Sequence, residues 1–259
     1  MIRLERVTKT FSKGTIDEKV AINEMSLHVR KGDFVTVIGS NGAGKTTLLN
    51  LISGTFRPDE GDIFIDASKV THLPEHRRAK YLGRIFQDPL MGTAASMTIE
   101  ENLAMADLRG KHRGLRWGVT KSLREHYRHI LSVLDLGLET RLKDTVSLLS
   151  GGQRQSLTLL MVTLSLPKLL LLDEHTAALD PKTAQRVIGL TKKIVEKNNL
   201  TTIMITHNMQ QAIKYGNRMI MLHEGRVQFD IQGEEKAALT VEEVVRRFGA
   251  ELKDEALLV

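Results

Sequence analysis

The chain of 259 residues contains no cysteine. That excludes disulfides, thiolate zinc sites and iron–sulfur ligation, and it fits a reducing compartment. An uninterrupted apolar run long enough to span a bilayer is also missing. The most apolar region, 157–172, is diluted by Thr158, Thr163 and Ser165 and cut at Pro167-Lys168. Any membrane role is therefore expected to come through a partner chain. The opening MIRLERVTKTF alternates charged and apolar residues and does not read as a secretory signal. Nor is there a concentrated basic patch: the net charge of +6 comes from 37 basic and 31 acidic residues that are scattered. Nucleic acid is not an expected partner on that footprint. The nearest approach to a patch, 109–116 (RGKHRGLR) followed by Trp117, reads as a solvated loop, with anionic headgroups or a membrane partner as the sharper alternative. No internal repeat or low-complexity linker is seen.

What is present is ordinary in bulk, 41% hydrophobic and 26% charged, and long enough to bury one α/β core with an inserted subdomain. Ile2, Leu4 and Val7, then Met25, Leu27 and Val29, alternate with polar neighbours as in a half-buried antiparallel sheet. The run 34–38 (FVTVI) reads as a strand buried on both faces, and 45–52 has helical spacing. Strands are also expected at 61–66 and 82–86. From residue 98 to about 148 strand signals vanish. Thr98-Ile99-Glu100-Glu101 looks like a capped helix start, and 121–134 is amphipathic at helical period. Alternation then resumes: strands at 169–172, 201–205 and 218–222, helices at 181–196 and 208–215, a hairpin strand at 226–231 and a terminal helix at 241–248. Such alternation predicts a mostly parallel sheet wrapped by helices, with a helical insert. The tail 250–259 is expected to be peripheral.

Three stretches carry chemistry. Residues 39–46 (GSNGAGKT) match G-x-x-x-x-G-K-[ST] between an expected strand and an expected helix, the context of a phosphate loop. Glycines 39, 42 and 44, with Ser40, Asn41 and Ala43, would let backbone N–H groups converge on a phosphate. Lys45 would place a charge between the β- and γ-phosphates, Thr46 would offer its hydroxyl to Mg²⁺, and Thr47 would add a hydrogen bond. In 169–174 (LLLLDE), Asp173 ends a buried strand where open α/β sheets bind ligands. It is expected as a Mg²⁺ partner, directly or at one remove, with Glu174 placed to polarise an attacking water. The third stretch, 149–153 (LSGGQ), has no use in a generic nucleotide fold. It suggests a clamp in which the Ser-Gly-Gly of one subunit closes over another's triphosphate.

The order GSNGAGKT, Gln87, LSGGQ, LLLLDE, Asp180 and His207 resembles the ATP-binding subunit of an ABC transporter over essentially the whole chain. The resemblance implies a P-loop NTPase core with a mostly parallel sheet, an N-terminal antiparallel β-subdomain and an inserted helical subdomain. The core would be 1–90 and 155–235, the helical signature subdomain about 91–154, and the C-terminal helix and tail 236–259. It implies a head-to-tail dimer holding two ATP with Mg²⁺, and membrane permease subunits as partners. It also implies an extracytoplasmic substrate-binding protein in the complete system, and a cytoplasmic location, peripheral on the inner face of the membrane. Gln87 would touch Mg²⁺ or the water, and Ser150, Gly151, Gly152 and Gln153 would meet the partner's γ-phosphate. Asp180 matches the D-loop aspartate, His207 the switch histidine, and Phe11 the aromatic that stacks on adenine, where Tyr is commoner. His175 stands where the family most often has Pro. It is either a harmless turn variant or a titratable ring that makes the ATPase pH-sensitive. The run DEHTAALDPKTA looks like the tryptophan/tyrosine-type importer branch. Alternatives left open are a soluble ABC-type ATPase acting on nucleic acid or in cofactor assembly, and a peptide or lipoprotein exporter.

Overall fold

The computed structural model describes residues 1–109 and 118–248, so most of the basic run at 109–116, Trp117 and the tail at 250–259 lie outside the described residues. The chain divides into two compact units, the first being Met1–Leu82, Lys168–Glu174 and Asn199–Val259, the second Gly83–Pro167 and His175–Asn198. The second therefore takes in residues 83–90, 155–167 and 175–198, which the sequence reading places in the core.

In the first unit, β1 (Ile2–Phe11), β2 (Lys19–Val29), β4 (Glu60–Ile65) and β5 (Ser68–Lys69) form an antiparallel sheet in the order β2-β1-β4-β5. Its buried positions alternate as expected, with Ile2, Leu4, Ile22, Met25, Ile63 and Ile65 turned inward. A second sheet follows the order β10-β9-β3-β8-β7. There β3 (Phe34–Ile38), β7 (Leu169–Asp173), β8 (Thr201–Ile205) and β9 (Arg218–His223) run parallel, while β10 (Arg226–Gln232) pairs antiparallel with β9. All five residues of β3, β7 and β8 are buried, which explains why these strands read as unbroken apolar runs rather than alternating ones. Helix α1 (Lys45–Ser53) follows β3 and contributes Leu48, Leu49, Leu51 and Ile52 to the same core. Short helices α2 (Glu75–Arg78), α7 (Met209–Lys214), α8 (Gly233–Ala237) and α9 (Val241–Phe248) complete the unit. β6 (Leu82–Ile85) leads out of it.

The second unit is helical: α3 (Ile99–Asp107), α4 (Lys121–Ser132), α5 (Gly151–Leu164) and α6 (Pro181–Asn198), with 3-10 turns at Leu138–Thr140 and Val146–Leu148. The expected start at Thr98 is a capping box, its hydroxyl accepting from the Glu101 N–H while the Glu101 carboxylate accepts from the Thr98 N–H. Ile99, Leu103, Tyr127, Leu131, Leu138, Val146 and Leu157 make its core. Arg124 of α4 forks onto the Glu100 carboxylate of α3 at 2.8 and 3.0 Å. Among the described residues no helix is long and apolar enough to cross a membrane.

Candidate active site

The strand order decides what meets at the site. β3, β8 and β7 are neighbours, and Val37, Ile205 and Asp173 lie in one cross-strand row. Residues that follow each strand are thus brought to one edge at strand spacing, roughly 5 Å apart: the phosphate loop after β3, Thr206-His207 after β8, and Glu174 after β7. Hydrogen bonds fix the row, from the Thr206 N–H to the Val37 carbonyl at 3.2 Å and from the Glu174 N–H to the Ile205 carbonyl at 3.1 Å.

The loop itself needs glycine. At Gly39 (φ +148°) a Cβ would lie 2.3 Å from the Leu222 carbonyl oxygen, and at Gly44 (φ +100°) one would lie 2.4 Å from that of Ala21. Neither position has room for a side chain, so the backbone is held close against the sheet. Helix α1 starts at Lys45 with no side-chain cap and no acidic residue in its first turn. Its first N–H groups and the helix dipole are the ordinary means of holding an anion. Lys45 is 6% exposed, and its Nζ donates to the carbonyls of Gly39 at 2.7 Å and Ser40 at 3.0 Å. A cleft of about 260 Å³ opens over this loop, lined by Phe11, Lys19, Ala21, Asn41, Gly42, Gly44, Lys45, Thr46, Thr47 and Glu174. Phe11 sits against Phe56 edge to face, centroids 5.3 Å apart.

Asp173, 7% exposed, ends β7. Glu174 follows in the left-handed region (φ +47°), a conformation that turns its carboxylate out of the strand direction. There Glu174 Oε1 meets Nε2 of His207. The Thr46 hydroxyl in the cleft and the Asp173 carboxylate at the strand end are hard oxygen donors of the kind that suit Mg²⁺. Among the described residues no group of three or more His, Cys, Asp or Glu is gathered for a metal.

The remaining expected residues lie in the second unit. Gln87 is exposed in the bend after β6. Ser150 is the N-cap of α5: its hydroxyl accepts from the Gln153 N–H at 3.3 Å, and the Gln153 side chain accepts from the Ser150 N–H at 3.1 Å. The signature S-x-x-Q is thus a capping box. A Cβ on Gly152 would fall 2.1 Å from Thr183 Cγ2, so α5 and α6 pass too closely there for a side chain. Asp180 caps α6 by accepting from the Thr183 N–H at 3.1 Å, and hydrogen bonds from Thr183 hold its carboxyl below the usual range.

His175 answers the question raised by its position. It is 2% exposed, its Nε2 shares a 3.1 Å hydrogen bond with Thr191 of α6, and burial pushes it down to about 4. Of the two readings of His175, the buried, hydrogen-bonded ring supports the plain turn variant. Two residues of the first unit are not marked by the sequence pattern. Lys19 entered the cleft through its cross-strand register with Phe11, a pairing the chain order alone hides. Arg78 lies in an EHRR segment that looks like surface charge, yet it is fully buried.

The profile of the family described as ABC transporter matches residues 22–177. A tyrosine transport ATP-binding protein of Clostridioides difficile is 46% identical over 251 residues, covering 96% of this chain and 98% of that protein. A methionine import ATP-binding protein of Streptococcus pneumoniae is 35% identical over 237 residues, covering 88% of this chain but 63% of its own length. Among solved structures, the ATP-binding cassette MJ0796 in a dimeric post-hydrolysis state, bound to ADP and Pi, superposes with a TM-score of 0.76. Identity is 30%, over 90% of this chain and 98% of that one.

Proposed function

The chain belongs to the ABC transporter family as an ATP-binding, ATP-hydrolysing cassette, and from that premise we propose that two copies close around two ATP–Mg²⁺ to drive a membrane permease. The cargo is a small solute taken up into the cell, an amino acid of the aromatic type, delivered by an extracytoplasmic binding protein. The cassette works in the cytoplasm, peripheral on the inner face of the membrane, without nucleic acid. The observation that carries the two-copy reading is that the chain has two anion-ready helix starts. α1 begins under the phosphate loop and α5 at exposed Ser150, and both lack an acidic residue in the first turn. One terminal phosphate bridging the two starts, one from each copy, gives a closed state whose stability depends on that phosphate. Hydrolysis removes the bridge. The cargo assignment is supported by the likeness to the tyrosine transport relative.

In this reading Lys45 offsets phosphate charge, the α1 N–H groups orient the chain of phosphates, and Ser150 of the second copy completes the cage. Thr46, Asp173 and Gln87 would hold Mg²⁺, which when bound neutralises charge on the leaving phosphates. Glu174 takes the proton of the water as its oxygen bonds to the terminal phosphorus and the bond to the ADP oxygen breaks. His207, already against Glu174, orders that carboxylate and meets the γ-phosphate. Glu174→Gln should slow turnover at least about 100-fold, the scale of a lost acid–base group, and leave a dimer on size exclusion with saturating ATP and Mg²⁺. Wild-type turnover, or a strictly monomeric Glu174→Gln protein under ATP, refutes the reading. Stimulation of the ATPase by DNA or RNA, rather than by permease in vesicles, would move the protein to the nucleic-acid class.

A further inference from the structure

The geometry points to Lys19 as a second cationic contact for the nucleotide, serving the phosphates that ADP and ATP share. Lys19 is the cross-strand partner of Phe11 across the β1–β2 ladder. With Ala21 two residues on, it lines the same cleft, as the two-residue period of a strand requires. Its ammonium lies against the phosphate loop: Nζ comes within 3.0 Å of the point where a Cβ on Gly42 would sit. The side chain therefore reaches from the end expected to hold the base to the middle of the phosphate loop. Nearby Lys9 is committed to Asp59 at 2.9 Å, whereas the Lys19 ammonium makes no hydrogen bond or ion pair with any described residue. The cleft's lining holds two ammonium groups, Lys19 and Lys45, against one carboxylate, Glu174. Two like charges around one loop repel each other until an anion sits between them, so this charge pattern favours a polyphosphate over a neutral ligand. Lys45 is anchored on loop carbonyls and buried. Lys19 is exposed at the rim, suited to drawing the nucleotide in and holding its inner phosphates.

This inference rests on the nucleotide reading of the cleft, and the test separates the two. Binding of ADP, ATP and adenosine is measured by titration calorimetry on the full chain at several salt concentrations, which requires neither dimer nor permease. Lys19→Gln should raise Kd for ADP and ATP by a similar factor, about fivefold to tenfold for one solvent-screened charge contact. It should also flatten the salt dependence and leave adenosine binding unchanged. Lys19→Arg should retain most of the affinity. An unchanged ADP Kd in Lys19→Gln, or an equal loss for adenosine, overturns the inference. Lys45→Ala is the control: if it too leaves ADP binding intact, the nucleotide reading itself fails. If it weakens ADP while Lys19→Gln does not, only the role of Lys19 falls.

Discussion

Among the described residues, Arg78 should be the most costly single cation to remove. Its guanidinium is 0% exposed. It donates to four backbone carbonyls: Leu51 at 2.6 Å, Ile52 at 3.0 Å, Thr71 at 3.0 Å and Leu73 at 2.8 Å. Leu51 and Ile52 belong to the last turn of α1, whose carbonyls have no partner within the helix. Arg78 thus closes the negative end of the helix whose positive end carries the phosphate loop. Gly54 makes the room, since a Cβ there would lie 2.7 Å from Arg78 Nε. Burial pushes the guanidinium down to about 10, so it stays charged at neutral pH. In Arg78→Met four acceptors lose their donor, a gross loss of roughly 4–12 kcal/mol at about 1–3 kcal/mol each. Relief of the guanidinium's own desolvation, and water reaching some of the carbonyls, return much of that. The net loss should be about 3 kcal/mol, the low end for breaking a buried charged network. For a chain of this size that is a fall in Tm of roughly 6–12 °C. Arg78→Lys keeps the charge but not the fork and should fall between the two. The assay is a thermal melt followed by circular dichroism, without nucleotide. An Arg78→Met protein melting within about 2 °C of wild type would show that the helix end is satisfied some other way, and the reasoning would be wrong.

Gly44→Ala places a methyl 2.4 Å from the Ala21 carbonyl at a left-handed φ; it should destabilise the fold by roughly 1–3 kcal/mol and abolish measurable ADP binding in calorimetry, and normal ADP binding would contradict the loop geometry. His175, held at about 4 by burial against an ordinary 6.5, takes up its proton more readily in the unfolded chain. Its contribution is therefore complete above pH 6.5 and lost as pH falls from 6.5 towards 4, on the order of 3 kcal/mol. Urea melts in EDTA between pH 4 and 7 should show a shallower acid-side loss for His175→Gln, and an identical slope would place the ring in solvent.

Much of this was legible because the local signals and the tertiary context agree. FVTVI and LLLLD read as strands since burial on both faces demands continuous apolar runs. The start at Thr98 was visible because a capping box needs only four residues of sequence. The Ser150–Gln153 box obeys the same rule, its two glycines notwithstanding. What escaped has a common cause. α2, α8 and β5 are too short to show a period. The burial of Arg78 depends on carbonyls contributed by α1 and by residues 71 and 73, and EHRR by itself cannot be told from a solvated run. The position of Lys19 is a matter of register, set by a pairing with Phe11 that is interrupted by irregularities between Leu4 and Thr10. Chain order alone puts His175 beside the site, since it follows Glu174. The left-handed turn at Glu174 instead separates them, one side chain meeting His207 and the other Thr191.

The same distinction explains where precision in the site comes from. Gly39, Glu174 and His207 are far apart in the chain, so no local motif can set their separation. The adjacency of β3, β8 and β7 does so, because each residue follows a strand whose register with its neighbour is fixed by the ladder. Those strands are buried throughout, and a packed interior resists small displacements. A change in the core of β8, at Ile203 or Met204, would therefore alter how His207 sits against Glu174 without touching either. A change at the exposed loop between β1 and β2 would leave that pair untouched and act only on the end of the cleft lined by Phe11 and Lys19. The Glu174 carboxylate is thus tied to the buried sheet, and the rim lined by Phe11 and Lys19 to the exposed hairpin.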